Sequence, residues 1–292
     1  MLTNIRKNLL QSFTYTGFAV MAFAANSVLC RMALKQTAID AASFSTIRML
    51  SGATILSLIY RTACRRQTAQ TLGNWFSAVM LFTYMVTFSF AYISLSTGTG
   101  ALVLFAMVQA TMILWALWSG ERPRLLEWSG FLLALTGLVY LLFPGLTAPS
   151  PAGALLMAIA GMSWGVYSLR GRAALDPLAE TTGNFVRATP FVLIVSLMTL
   201  QHNYLSAKGI LFAVISGALA SGVGYAVWYI ALKTLTATRA AIVQLSVPVL
   251  AAMGGVMFLE EALSIRLVLS SILILGGVSL ATLGHKQLPQ EI

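Results

Sequence analysis

Charge is scarce in this 292-residue chain: Asp, Glu, Lys and Arg make up 9% of it while 58% is apolar, against about 25% and 45 to 50% in ordinary soluble domains. No soluble fold of this length hides so much apolar surface. Cysteine is nearly missing, and Cys30 and Cys64 stand in no CxxC or metal-ligand spacing. Disulfide, metal and thiol chemistry are therefore not expected, and no cofactor is implied. The two histidines, His202 and His285, flank apolar runs, so no base is at hand for the serine of Gly161-Met162-Ser163-Trp164-Gly165. That GxSxG pattern lies within an apolar stretch where the required strand-to-helix elbow has no place. Acids number eight, and all of them fall in connections, at helix ends or in the tail. A proton relay built on a carboxylate at mid-depth is thereby disfavoured, with Glu260 or Glu261 the weaker option for ion coupling.

What is present is a series of long apolar runs. A hydrocarbon core of about 30 Å takes roughly 20 apolar residues of helix, and runs of that length recur along the chain. Bounded by charges, Gly or Pro, they predict helices at 12–34, 42–60, 73–96, 99–119, 125–143, 152–170, 184–201, 208–232, 237–259 and 265–283. Arg6 and Lys7 before the first run look like the start of a signal peptide, but further spans follow and the run is more simply the first helix. The Pro-rich stretch 144–151 falls near the midpoint and divides the chain into 1–145 and 152–292.

The net charge of +10 would suit nucleic acid if it were gathered on one face, but it is spread among short connections, so no nucleic-acid partner is expected. Topology accounts for it. Twelve Lys and Arg fall on the amino-terminal side of the spans and four (Arg31, Lys35, Lys208 and Arg266) on the other. By the positive-inside rule both termini are cytoplasmic.

The halves resemble each other. Arg31 and Arg48 match Arg170 and Arg187 at a shift of 139, Ala91 to Leu95 match Trp228 to Leu232 at 137, and Glu121 and Gly137 match Glu261 and Gly277 at 140. With five spans in each half, the second enters the membrane from the opposite side, so the expected fold is all-α, ten transmembrane helices in two inverted five-helix repeats around a central cavity. Such repeats give secondary transporters their two mirror-related states.

Pro248 through Glu261, then Leu263, Ser264 and Gly277, resemble the end of the repeat in the drug/metabolite transporter superfamily, of the metabolite-exporter type. Ser119 to Pro123, Gly130 and Gly137 resemble it in the first half, with Val108 where the Pro would stand. Arg48 and Arg187 are similar to the Arg that the family carries early in its second repeat helix. The resemblance covers nearly the whole chain and implies transport of small molecules. The aromatic-rich and Met-rich composition is most similar to bacterial exporters of aromatic and other amino acids. It implies a multi-pass protein of the inner membrane, with lipid and a small-molecule substrate as partners, acting as a monomer or weak dimer and not as an enzyme.

Polar groups within the spans are the candidate site, because an unpaired one in lipid costs several kcal/mol. Asn26, Gln109 and Gln244 either line a cavity or join helices. Tyr84, Phe88 and Tyr92 form one aromatic stripe and Tyr225, Trp228 and Tyr229 another, and Trp164 joins them; the stripes are either packing or a wall for amphipathic side chains and ammonium groups. Arg48 and Arg187 either snorkel to loop carbonyls or attract a substrate carboxylate. Gly222, Gly224 and Pro248 are the expected points of bending, with close packing the alternative for the glycines.

Overall fold

The computed structural model describes residues 2–35, 39–63, 73–118, 125–143, 148–172, 174–202, 204–232, 243–244 and 246–284. Among them every regular element is helical. In chain order these are α1 (Leu2–Lys35), α2 (Ala41–Ala63), α3 (Trp75–Ala91), α4 (Thr97–Trp118), α5 (Leu125–Leu142), α6 (Pro151–Arg172), α7 (Pro177–Met198), α8 (Ala207–Ile215), α9 (Gly224–Leu232), α10 (Ser246–Leu259) and α11 (Ile265–Gly284). A π-helical segment, Ser216–Val223, joins α8 to α9 into one run. Five helical runs are long and apolar enough to cross a membrane: Thr14–Lys35, Ala41–Thr62, Thr97–Trp115, Pro151–Gly171 and Ala207–Trp228. The apolar stretches Trp75–Ala91, Trp128–Leu142, Ser246–Leu259 and Ile265–Leu280 are shorter. Cys64, Glu121, the linker residues 144–147 and the first residues of the helix expected at 237–259 lie outside the described residues.

Polar side chains start the helices. The Asn74 carboxamide accepts from Ser77 N at 2.8 Å at the head of α3, the Asp176 carboxylate accepts from Leu178 N and Ala179 N at 3.1 Å at the head of α7, and Ser206 caps α8 through Gly209 N at 3.1 Å. Each satisfies amides that have no partner inside the helix.

The cap at Asp176 corrects one expectation. The helix expected from 184 begins at Pro177, about two turns earlier, because Thr181 and Thr182 are buried inside the bundle rather than left in a connection. The Asn184 carboxamide accepts from Asn74 N at 2.9 Å, which ties the head of α3 to α7.

Packing follows a reciprocal scheme. α6 lies on α3 and α4, while α1 lies on the α8–α9 run and α10; α2 meets α7, α4 meets α10, and α5 meets α11. Exchanging the two halves of the chain turns each of these pairs into another or into itself. The α5–α11 crossing is reciprocal in detail: a Cβ on Gly137 would sit 2.9 Å from the Ile274 side chain, and one on Gly277 would sit 2.5 Å from Ala134 N. These are the same two positions with the partners exchanged, 140 residues apart. Small residues here let the backbones approach, as between helices in lipid.

Candidate functional site

At the centre of the bundle a polar chain crosses from α2 to α1. Arg48 Nε donates to Ser221 Oγ at 3.1 Å, Ser221 Oγ donates to Asn26 Oδ1 at 3.3 Å, and Ser216 Oγ donates to the same oxygen at 2.7 Å. Arg48 Nη2 donates to the Tyr84 hydroxyl at 3.3 Å, which also accepts from the Tyr225 hydroxyl at 3.5 Å. Both serines belong to the π-helical segment. Such segments are rare and concentrate at functional sites. The close approach of this segment to α2 depends on Gly217 and Gly222, where a Cβ would strike the Arg48 carbonyl and Ile55 respectively. Gly222 is thus closely packed on α2, and Gly224 lies against Ala22 of α1.

Aromatic rings enclose this chain. Trp164 lies 4.9 Å from both Tyr84 and Tyr225 between ring centroids and 5.6 Å from Tyr167. Phe23 meets Trp164, Tyr225 and Trp228 edge-on at 6.2, 5.8 and 5.5 Å. The Arg48 guanidinium sits over Phe88 at 4.9 Å and over Tyr84 at 5.5 Å.

Of the residues singled out in the sequence, Asn26, Arg48, Tyr84, Phe88, Trp164, Tyr225 and Trp228 come together here. Tyr92 does not: its hydroxyl donates to Thr97 O at 3.3 Å, bracing the turn between α3 and α4. Gln109 is buried on α4 without a hydrogen bond to this cluster among the described residues. Gln244 is buried and helical just ahead of α10. Pro248 falls in the first turn of α10. The sequence reading missed Phe23, Tyr167, Ser216 and Ser221. Phe23 and Tyr167 each lie within four residues of a residue that it did single out, and the serines carried no signal beyond a Gly-rich run.

The two span arginines part company. Arg48 is fully buried and does not snorkel. Arg187 is half-buried, donates to Gly183 O one turn back at 3.4 Å and lies over the Trp75 ring at 5.9 Å, which is the snorkelling geometry.

A second polar cluster closes one end of the bundle. Arg31 Nε pairs with Glu261 Oε1 at 3.3 Å, and Arg31 Nη1 donates to Tyr92 O at 2.7 Å and Ile93 O at 2.9 Å. Glu261 Oε2 accepts from Thr97 N at 2.8 Å, a carboxylate at the positive end of α4. Lys35 Nζ donates to Leu259 O at 2.7 Å. α1, α3, α4 and α10 are thus latched together at this end.

The model of the EamA-like transporter family matches residues 151–283. A protein of Pseudomonas aeruginosa, described only as uncharacterised, is 50% identical over 265 residues, 91% of this chain and 92% of that one. The chain belongs to the EamA-like transporter family, within the drug/metabolite transporter superfamily. The threonine/homoserine exporter RhtA of Salmonella typhimurium is 32% identical over 183 residues, 60% of each chain, and the uncharacterised transporter YoaV of Bacillus subtilis is 22% identical over 254. A solved crystal structure superposes with a TM-score of 0.65 at 21% identity, covering 91% of this chain and 98% of the other; that likeness shows the fold. Family membership makes movement of a small molecule through a multi-pass membrane protein, rather than catalysis, the activity to account for.

Proposed function

We propose that this EamA-family protein exports amino acids, aromatic and others, by alternating access through ten transmembrane helices arranged as two inverted repeats, 1–145 and 152–292. The observation that carries this reading is the buried chain from Arg48 through Ser221 to Asn26, ringed by Tyr84, Trp164, Tyr225 and Trp228. It draws on α1, α2 and α3 from one half and on α6 and the α8–α9 run from the other. A site near the midplane where repeats meet is what alternating access requires. The reciprocal packing of α5 on α11 supports the repeat, and the relationship to RhtA supports export of amino acids. The aromatic walls suit substrates with an apolar body and a polar head. Gln109, Gln244 and Tyr92 are proposed to join the site as the helices move.

In this reading the Arg31–Glu261 latch is the closed end, facing away from the cytoplasm, and bending at Gly222, Gly224 and Pro248 accompanies its release. The protein sits in a bacterial inner membrane with both termini cytoplasmic, as a monomer or weak dimer. Efflux of amphipathic drugs or other small metabolites is the second reading, favoured by the same aromatic walls.

Counterflow by purified protein in liposomes separates the two, using radiolabelled amino acids and one lipophilic cation. Exchange of several amino acids without the cation supports amino-acid export. Exchange of the cation alone moves the function to drug efflux, and linear, unsaturable flux of either would indicate a channel.

A further inference from the structure

We infer that Arg48 is the group that receives the carboxylate of the transported solute, an inference that rests on the proposed export of small metabolites and narrows the substrate class to carboxylates. Arg48 is among the largest fully buried side chains of the protein, and among the described residues it has no carboxylate partner. The ionisable groups acting on it are Tyr84, Tyr225 and Cys30, all of them ordinarily neutral at pH 7. Among the described residues the ion pair is elsewhere, between Arg31 and Glu261.

Arg48 Nε and Nη2 are spent on Ser221 and Tyr84. Nη1 is buried with no hydrogen-bond partner among the described residues. A buried cation is retained in lipid where it pairs, relays or binds, and a guanidinium presents donors in a planar fork that matches a carboxylate.

The other described arginines bound within the bundle do not share this condition. Arg31 holds a carboxylate and two carbonyls, Arg170 holds the Ser77 hydroxyl, and Arg187 and Arg266 hold carbonyls. A tether from α2 to Ser221 and Tyr84 needs only neutral donors, which a glutamine supplies without desolvating a charge. The charge itself is explained by an anion that arrives and leaves. The two hydroxyls and the faces of Phe88 and Tyr84 hold the guanidinium in place between visits.

The test is counterflow in proteoliposomes at pH 7 with L-phenylalanine and L-threonine, each against its carboxamide, which keeps the ammonium and side chain and lacks the carboxylate. The wild type is expected to exchange the acids and not the amides. Arg48→Gln is expected to slow exchange of the acids at least about 30-fold, with Arg48→Lys recovering part of it. Because a variant at a buried position can fail to fold, the thermal midpoint of the wild type is read in parallel, and it should rise with acid and not with amide. Exchange of amides as fast as acids, or wild-type exchange of acids by Arg48→Gln, would overturn the inference and leave transport standing. Absence of exchange for every solute in the panel, with no thermal shift, would overturn both.

Discussion

Arg48 and Arg187 stand 139 residues apart at matching positions of the two halves, yet they live under opposite conditions. Arg187 bonds Gly183 O in its own helix and covers Trp75, so its charge is half-solvated and already employed. Arg48 is wholly enclosed, with two nitrogens on hydroxyls and the third without a partner among the described residues. The second pair in the same register diverges as well. Arg31 is locked to Glu261 and two carbonyls, whereas Arg170 donates to Ser77 Oγ at 3.1 Å and lies over Phe76 at 5.1 Å. Equal spacing of two arginine pairs in the sequence therefore does not decide what each cation does in the bundle. Burial and the supply of partners decide that.

The largest expected effect separates the two span arginines. Arg48→Met removes the charge while keeping an unbranched side chain, so exchange of carboxylate solutes should fall below about one-thirtieth of wild type. Its thermal midpoint in detergent should stay level or rise, since an unpaired buried charge is costly and an apolar replacement often stabilises. A large drop in midpoint together with lost exchange would instead make Arg48 a structural tether.

Asn26→Asp breaks the comparison from another side. The new carboxylate would sit one hydroxyl away from Arg48, across Ser221, and would give it the counter-ion it lacks. The midpoint should rise, and apparent affinity for carboxylate solutes should weaken about tenfold, because the resident charge competes with the arriving one. Unchanged affinity with a higher midpoint would separate the cluster's stability from binding.

Much of this contrast was hidden in the sequence for physical reasons. Composition alone gave a lipid-embedded helical protein, and Asn26 and Arg48 stood out as polar groups in apolar runs. The head of α7 did not stand out, because Thr181 and Thr182 read as a connection on hydropathy although the bundle buries them. The π-helical segment was equally silent: Ser216 and Ser221 lie in a Gly-rich run that suits close packing, and only their meeting with Asn26 and Arg48 makes them part of the cluster. The Arg31–Glu261 pair joins positions 230 residues apart, a separation over which no periodicity speaks. The match of Glu121 with Glu261 marked the acid without revealing its partner.

That latch offers a smaller effect. Glu261→Gln keeps the shape and removes the charge from Arg31, leaving Thr97 N and the two carbonyls to hold the end closed. Loss of one partly buried pair is worth about 1 kcal/mol, so the closed end should open about fivefold more often. Cys30, fully buried on α1 near this end, is a natural reporter in a Cys64→Ser background. Its reaction with a membrane-impermeant maleimide should accelerate by that factor, and an unchanged rate would mean that the latch does not control access.

The smallest effect is expected at Arg187, where the comparison is most exposed to failure. Arg187→Gln keeps a donor that can reach Gly183 O and loses only a cation facing the Trp75 ring, an interaction worth about 0.5 to 1 kcal/mol at a partly exposed site. Exchange of carboxylate solutes should therefore stay within about twofold of wild type, with a midpoint only slightly lower. If Arg187→Gln instead slowed exchange as severely as Arg48→Gln, the two arginines would take turns with the substrate as the halves exchange conformations. The difference between them in this structure would then belong to one state of the cycle rather than to the residues themselves.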